Sequence, residues 1–118
     1  NQMVVHARTK KEVFTRVCEI AIEFGQFRMA WIGLINTETD SIEPLVWSGH
    51  EDHYFEVIPT ISILDVPSGR GPTGRAAREK RIVTNNHITD TGNETYNLWR
   101  DEALKRNYQS SIAIPITI

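Results

Sequence analysis

Hydrophobic positions along the chain change period several times, and each change marks an element. Val13, Phe14, Val17, Cys18, Ala21, Ile22 and Phe24 recur at three- and four-residue spacing, which predicts an amphipathic helix. "TKKE" at 9–12 has the form of a capping box at its start, with Thr9 and Glu12 as the reciprocal pair. Gly25 ends it, because glycine adopts the left-handed conformation past a helix without steric cost. "MAWIGLI" (29–35) is a short apolar run of strand length, and "IEPLVWS" (42–48) is a second. The polar "NTETDS" between them makes the pair a hairpin.

Beyond the hairpin the pattern is less regular. "GHEDHYFEVI" (49–58) reads as a loop with a short helix, and "TISILDVPS" (60–68) is ambiguous between extended chain and strand. Pro72 is pre-set for a first helical position, so "PTGRAAREKR" reads as a short helix. "IVTNN" (82–86) is a strand and "NLWRDEALKRN" (97–107) a helix with Leu98, Trp99, Ala103 and Leu104 on or near one face. In "SSIAIPITI", Ile112, Ile114, Ile116 and Ile118 alternate and share one side of a strand. The order α-β-β-α-α-β-α-β predicts an α+β domain with helices on an antiparallel sheet.

Composition narrows the reading only a little. At 118 residues, 40% hydrophobic and 24% charged, the chain is expected to form one soluble domain spanning 1–118. A net charge of −2 gives no pull toward nucleic acid or a membrane surface. No apolar run reaches membrane-spanning length and no signal-peptide pattern opens the chain. The single cysteine, Cys18, excludes an internal disulfide and a cysteine-based metal cluster, and suits a reducing, cytoplasmic setting.

"GRGPTG" at 69–74 carries the G-x-G-x-x-G spacing of dinucleotide-binding turns. Such a turn needs a buried strand running directly into the first glycine and a crossover to a second parallel strand. Here Pro67 and Ser68 precede Gly69, and Pro72 interrupts the glycines. Asp90, about twenty residues on, falls in a polar loop, and the chain lacks room for repeated βαβ units. The local demands of a turn and a helix start explain the glycines better: Gly69 turns the chain, Gly71 caps the helix, and Gly74 lets it lie close to a neighbour. The first amides of that helix would still suit an anion.

Other candidate chemistry is sparse. His50 and His53 flank Glu51 and Asp52 in one loop, but spacing alone does not make a metal site, and solvated histidines are the expectation. His50 and His87 lack any accompanying haem motif. Arg70, Arg75, Arg78, Lys80 and Arg81 cluster without the interleaved aromatics of a nucleic-acid reader, so a solvated helix face is expected. Arg70 and Arg75 flank the helix start, which keeps an anionic ligand as the sharper alternative. Trp31 is expected in the core, with Trp47 and Trp99 as walls of a pocket. The serines lie in no nucleophile motif, and Asp101-Glu102 is expected to be solvated.

"FGQFRMAWIGLIN", "GRGPTGRAAREKRIVTNN" and "WRDEALKRNYQSSIAIPI", in that order and spacing, resemble a GAF domain of the bacterial signalling type, over residues 9–118. The resemblance implies an antiparallel sheet with the first and last helices on one face and any ligand pocket on the other. It implies a non-catalytic sensory module that binds a small molecule and relays the signal to an attached output domain. The alternative is a ligand-free dimerisation and relay module whose first helix joins a coiled coil. The ligand-binding residues it implies are Trp47, His50, Tyr54, Arg70, Gly71, Thr73, Gly74, Arg75 and Trp99. Expected partners are a small molecule of unassigned identity, an anion being the sharper case, and a second copy in a homodimer. Nucleic acid, direct membrane contact, metal and catalytic residues are not expected, and no cofactor is assigned.

The chain departs from several branches of that family. Asp101-Glu102 lacks the Asn-Lys and phenylalanine that complete the cyclic-nucleotide signature, and Asn85-Asn86 stands where many relatives have Asn-Asp. Cys18 lies in the first helix, away from a bilin attachment point, and one cysteine does not serve methionine-sulfoxide reduction. Relatives also follow "SSIAIPI" with a further strand beside the first strand of the hairpin. Ending at Ile118, the chain is expected to lack that strand and to leave 29–35 and 112–118 with open edges.

Overall fold

The computed structural model describes residues 7–88 and 98–116. Helix α1 (Ala7–Gly25) is followed by β1 (Met29–Asn36), β2 (Ser41–Gly49) and the one-turn helix α2 (Tyr54–Val57). Then come β3 (Ile61–Ser62), a 3-10 turn (Pro67–Gly69), α3 (Pro72–Glu79), β4 (Val83–Asn85), α4 (Arg100–Lys105) and β5 (Ser111–Ala113). The expected α+β class and element order hold, with β3 added from the ambiguous stretch.

Among the described residues two sheets form, one in the order β1-β2-β3 and one pairing β4 with β5, and neither closes. Both β2–β3 and β4–β5 run antiparallel, with Ile42 opposite Ile61 and Asn85 opposite Ser111. β1 and β5 are each an outer strand of their sheet. The chain divides into two compact units, Asn1–Leu34 with Pro44–Glu51, and Ile35–Glu43 with Asp52–Ile118.

In the first unit α1 begins at Ala7, so Thr9 lies inside the first turn rather than at the cap. The Thr9 side chain, and with it the expected capping box, lies outside the described residues. Cys18 is 1% exposed, and Phe14, Ala21 and Ile22 beside it are partly buried. Val13, Val17, Ile20 and Phe24 are not on that face: they are 52, 48, 42 and 77% exposed. The apolar residues of α1 therefore form two stripes instead of the single one expected. At 100° per residue the outer four fall within about 60° of one another, roughly 115° from the inner stripe. Gly49, at φ 90, receives the close approach of Ile22 and of the Arg28 carbonyl, and His50 N donates to that carbonyl at 2.9 Å. Trp31, expected in the core, is only partly buried.

The second unit starts with the hairpin tip, where Asn36 Oδ1 accepts from the amides of Glu38 and Thr39 at 3.0 and 3.4 Å. This is an Asx turn, and the Asn36 amide donates to Glu43 Oε1 at 3.0 Å across the hairpin. Asp40, at φ 51, completes the reversal. The core of this unit holds Ile42, Tyr54, Ile61, Ala76, Val83, Ile88, Trp99, Ala103 and Tyr108. α3 packs against β4 and β5. Helix α4 is shorter than expected, and Asn97 lies outside the described residues. Strand β5 stops at Ala113, two residues before Pro115, which has no amide to offer a ladder. Ile112, Ile114 and Ile116 do share an environment, but it is solvent, at 47, 57 and 60% exposure; Ile118 lies outside the described residues.

Candidate functional site

The start of α3 gathers more of the expected site residues than any other place. Gly71 is the N-cap, in extended conformation, and Pro72 occupies the first turn. Both glycines of this start are dictated by packing. A methyl group at Gly74 would sit 2.5 Å from the carbonyl oxygens of both Gly69 and Ser62. One at Gly71 would run into the six-membered ring of Trp99, and one at Gly69 into the Leu64 carbonyl. Thr73 is partly buried, whereas Gly71, Pro72 and Gly74 are buried. Trp99, 5% exposed, thus covers the helix start with its own ring.

The two arginines expected beside an anion already hold carboxylates. Arg70 Nε donates to Asp65 Oδ1 at 2.9 Å, with side chains 59 and 74% exposed. Its hydrogen bond holds the Asp65 carboxyl below the usual carboxylate range. Arg75 Nε lies 3.5 Å from Glu79 Oε2, and Arg81 Nε donates to Glu79 Oε1 at 2.6 Å. Arg81 first, and then Arg75, lower the Glu79 pKa.

Arg78 departs from the solvated face expected for this basic cluster. Its Nη1 lies 3.2, 2.8 and 2.9 Å from the carbonyl oxygens of Ile63, Leu64 and Gly69. Two protons serve three acceptors, so one is shared. The segment between β3 and the 3-10 turn is wrapped around this guanidinium. Gly74 and Arg78 are four positions apart, which places them on one helix face. That spacing is the signal that could have singled Arg78 out.

Tyr54 belongs to a different cluster. It is 4% exposed and meets Tyr108 edge-on, with ring centroids 5.2 Å apart, while the Arg106 guanidinium lies 5.6 Å above its ring. Arg106 donates to the Asp52 carbonyl through Nε at 3.0 Å and Nη2 at 2.7 Å. Its Nη1 also reaches Glu102 Oε1 at 3.0 Å, and Arg106 then Lys105 lower the Glu102 pKa. The Asp52 and His53 backbones are both left-handed, at φ 47 and 61, and this grip holds the turn they make. Sequence reasoning missed Arg106, whose partner lies 54 residues away. It also missed Arg100, 7% exposed with Nε donating to the Ile88 carbonyl at 2.8 Å.

Trp47 and His50 lie in the first unit, Trp47 at 44% exposure and His50 also exposed. The nine expected residues therefore divide between the α3 start with Trp99, the Tyr54 cluster, and the end of β2. Among the described residues no group of three or more His, Cys, Asp or Glu could hold a metal. No helix among them is long and apolar enough to cross a membrane.

No curated protein and no solved structure matches the chain. A family model, the GAF domain, matches residues 7–118, taking in both units and every described element. GAF domains are generally regulatory or sensory modules, and the α+β architecture with antiparallel strand pairs agrees with their fold. The chain belongs to the GAF domain family.

Proposed function

We propose that this GAF domain is a non-catalytic regulatory module of a larger cytoplasmic signalling protein, working through homodimerisation and relay to an attached output domain. The outer stripe of α1 carries this reading. Val13, Val17, Ile20 and Phe24 are separated by four, three and four residues, the spacing of a coiled-coil seam, and all four are exposed. A single amphipathic face would suffice for packing α1 in its own unit; the second stripe is surplus to that need. Removing these side chains from water by pairing would stabilise a dimer, each buried methylene contributing about 0.8 kcal/mol. Sedimentation of the protein and of Val17→Glu tests it: the parent is expected to be dimeric and the variant monomeric with unchanged circular dichroism. A monomeric parent across the micromolar range would defeat the reading.

A second reading, a small-molecule sensor, is favoured by a separate observation. Ser111 Oγ is buried without a hydrogen-bond partner among the described residues, opposite buried Asn85 on the strand pair that α3 covers. A polar ligand reaching that side of α3 would satisfy it. The binding set would be drawn from the expected residues of the second unit, Tyr54, Arg70, Gly71, Thr73, Gly74, Arg75 and Trp99. An anion would require Arg70 to leave Asp65 or Arg75 to leave Glu79. Thermal-shift screening against metabolites, repeated with Arg70→Ala and Arg75→Ala, tests this arm. Stabilisation by an anionic hit should fall in at least one variant; a hit unaffected by both would remove the anion site.

A further inference from the structure

We infer that two copies of this chain pair their α1 helices antiparallel, an orientation that rests on the dimer reading above and adds the direction of the partner. With Val13 and Ile20 at d positions and Val17 and Phe24 at a positions, Arg16 and Glu23 both fall at g. Flanking charges of this kind set the orientation of paired helices. In an antiparallel pair, a layers meet d layers, Val17 against Ile20 and Val13 against Phe24 of the second copy. The g flanks then face one another, bringing Arg16 of each copy beside Glu23 of the other, twice by symmetry.

The parallel arrangement wastes these charges. It sets Arg16 opposite Ala21 and Glu23 opposite Arg28, which lies past the helix end at Gly25. It also brings the two Lys10 residues, one turn before Val13 at the next a position, together in the seam. Antiparallel helices oppose their macrodipoles, whereas parallel ones align them. Within one chain Arg16 and Glu23 are already 3.7 Å apart and each 55% exposed, so both side chains lie on the rim of the stripe, free to shift to a partner.

Disulfide trapping reads the direction. In a Cys18→Ala background, Val17→Cys and Ile20→Cys chains are mixed in equal amounts and oxidised mildly. The expected product is the mixed 17–20 disulfide, in excess over either self-linked species. Dimers by sedimentation that yield chiefly 17–17 and 20–20 bonds would overturn the antiparallel orientation while leaving the dimer reading intact. A monomer with no cross-link, or a dimer forming none of these bonds, would remove both. Charge reversal gives an arm free of core substitution. Arg16→Glu mixed with Glu23→Arg should form a heterodimer about tenfold tighter than either variant's homodimer. Equal affinities for all three pairings would overturn the antiparallel assignment.

Discussion

Cys18 and Arg78 show how little a side chain's chemistry says before its surroundings are known. Cys18 is a thiol in name, but at 1% exposure on the inner stripe of α1 it packs as a small hydrophobe. Burial pushes its pKa up, which reduces the thiolate that would react. Alkylation of the native protein should therefore be slow and should accelerate sharply in denaturant. Rapid modification with the fold intact would contradict a structural role. Arg78 is the converse case, a surface residue type acting as an internal brace on three carbonyl groups. Hydrogen bonds to a charged donor contribute about 1.5–3 kcal/mol each when buried, less when water competes. Arg78→Met should lower unfolding stability by roughly 2 kcal/mol in urea titration. Arg70→Ala, which breaks only an exposed ion pair, should cost less than about 1 kcal/mol. Equal losses would refute the brace.

Helix α3 is defined as much by what approaches it as by its own eight residues. Pro72 and Gly71 set its start, but Gly74 fits because backbone carbonyls of Gly69 and Ser62 press on it. Gly74→Ala must push backbone aside, an overpacking cost of about 1–3 kcal/mol. Gly71→Ala meets the Trp99 ring instead, a side chain rather than backbone, so its cost should be smaller and accompanied by a change in tryptophan fluorescence. Denaturation midpoints of the two variants decide the order; Gly71→Ala proving the more harmful would show that Trp99 is locked. Helix α1 presents the other side of the problem. Its pattern made one amphipathic helix legible, but a list of apolar positions does not say that Cys18 faces inward while Val17 faces water.

Two kinds of surface bear on association. Among the described residues β1 and β5 are outer strands, with Leu34 and Ile35 exposed on one and Ile112 on the other. Open apolar edges recruit further strands. Concentration-dependent association beyond a dimer is expected, and Ile112→Lys should suppress it without affecting pairing through α1. Sedimentation equilibrium separates the two: Val17→Glu should remove the dimer, Ile112→Lys the larger species. If Ile112→Lys alone yields monomer, the edge rather than the helix is the dimer contact.

Local chemistry was enough for the elements. Periodicity placed α1 and the hairpin, Gly71-Pro72 placed the start of α3, and three segments in order carried the GAF resemblance that the family match over 7–118 bears out. These depend on neighbours within a few residues, so they survive without knowledge of the fold. The site did not follow in the same way. Arg70 and Arg75 looked like ligands for an anion, but Asp65 and Glu79 occupy them. Trp99, some 28 positions from Gly71 in the chain, fills the space above the helix start. Arg106 reaches an Asp52 carbonyl 54 residues away. A guanidinium's partner, or the stripe of a helix that meets water, depends on which distant segments fold beside it. That is a property of packing in three dimensions, and no spacing along the chain encodes it locally.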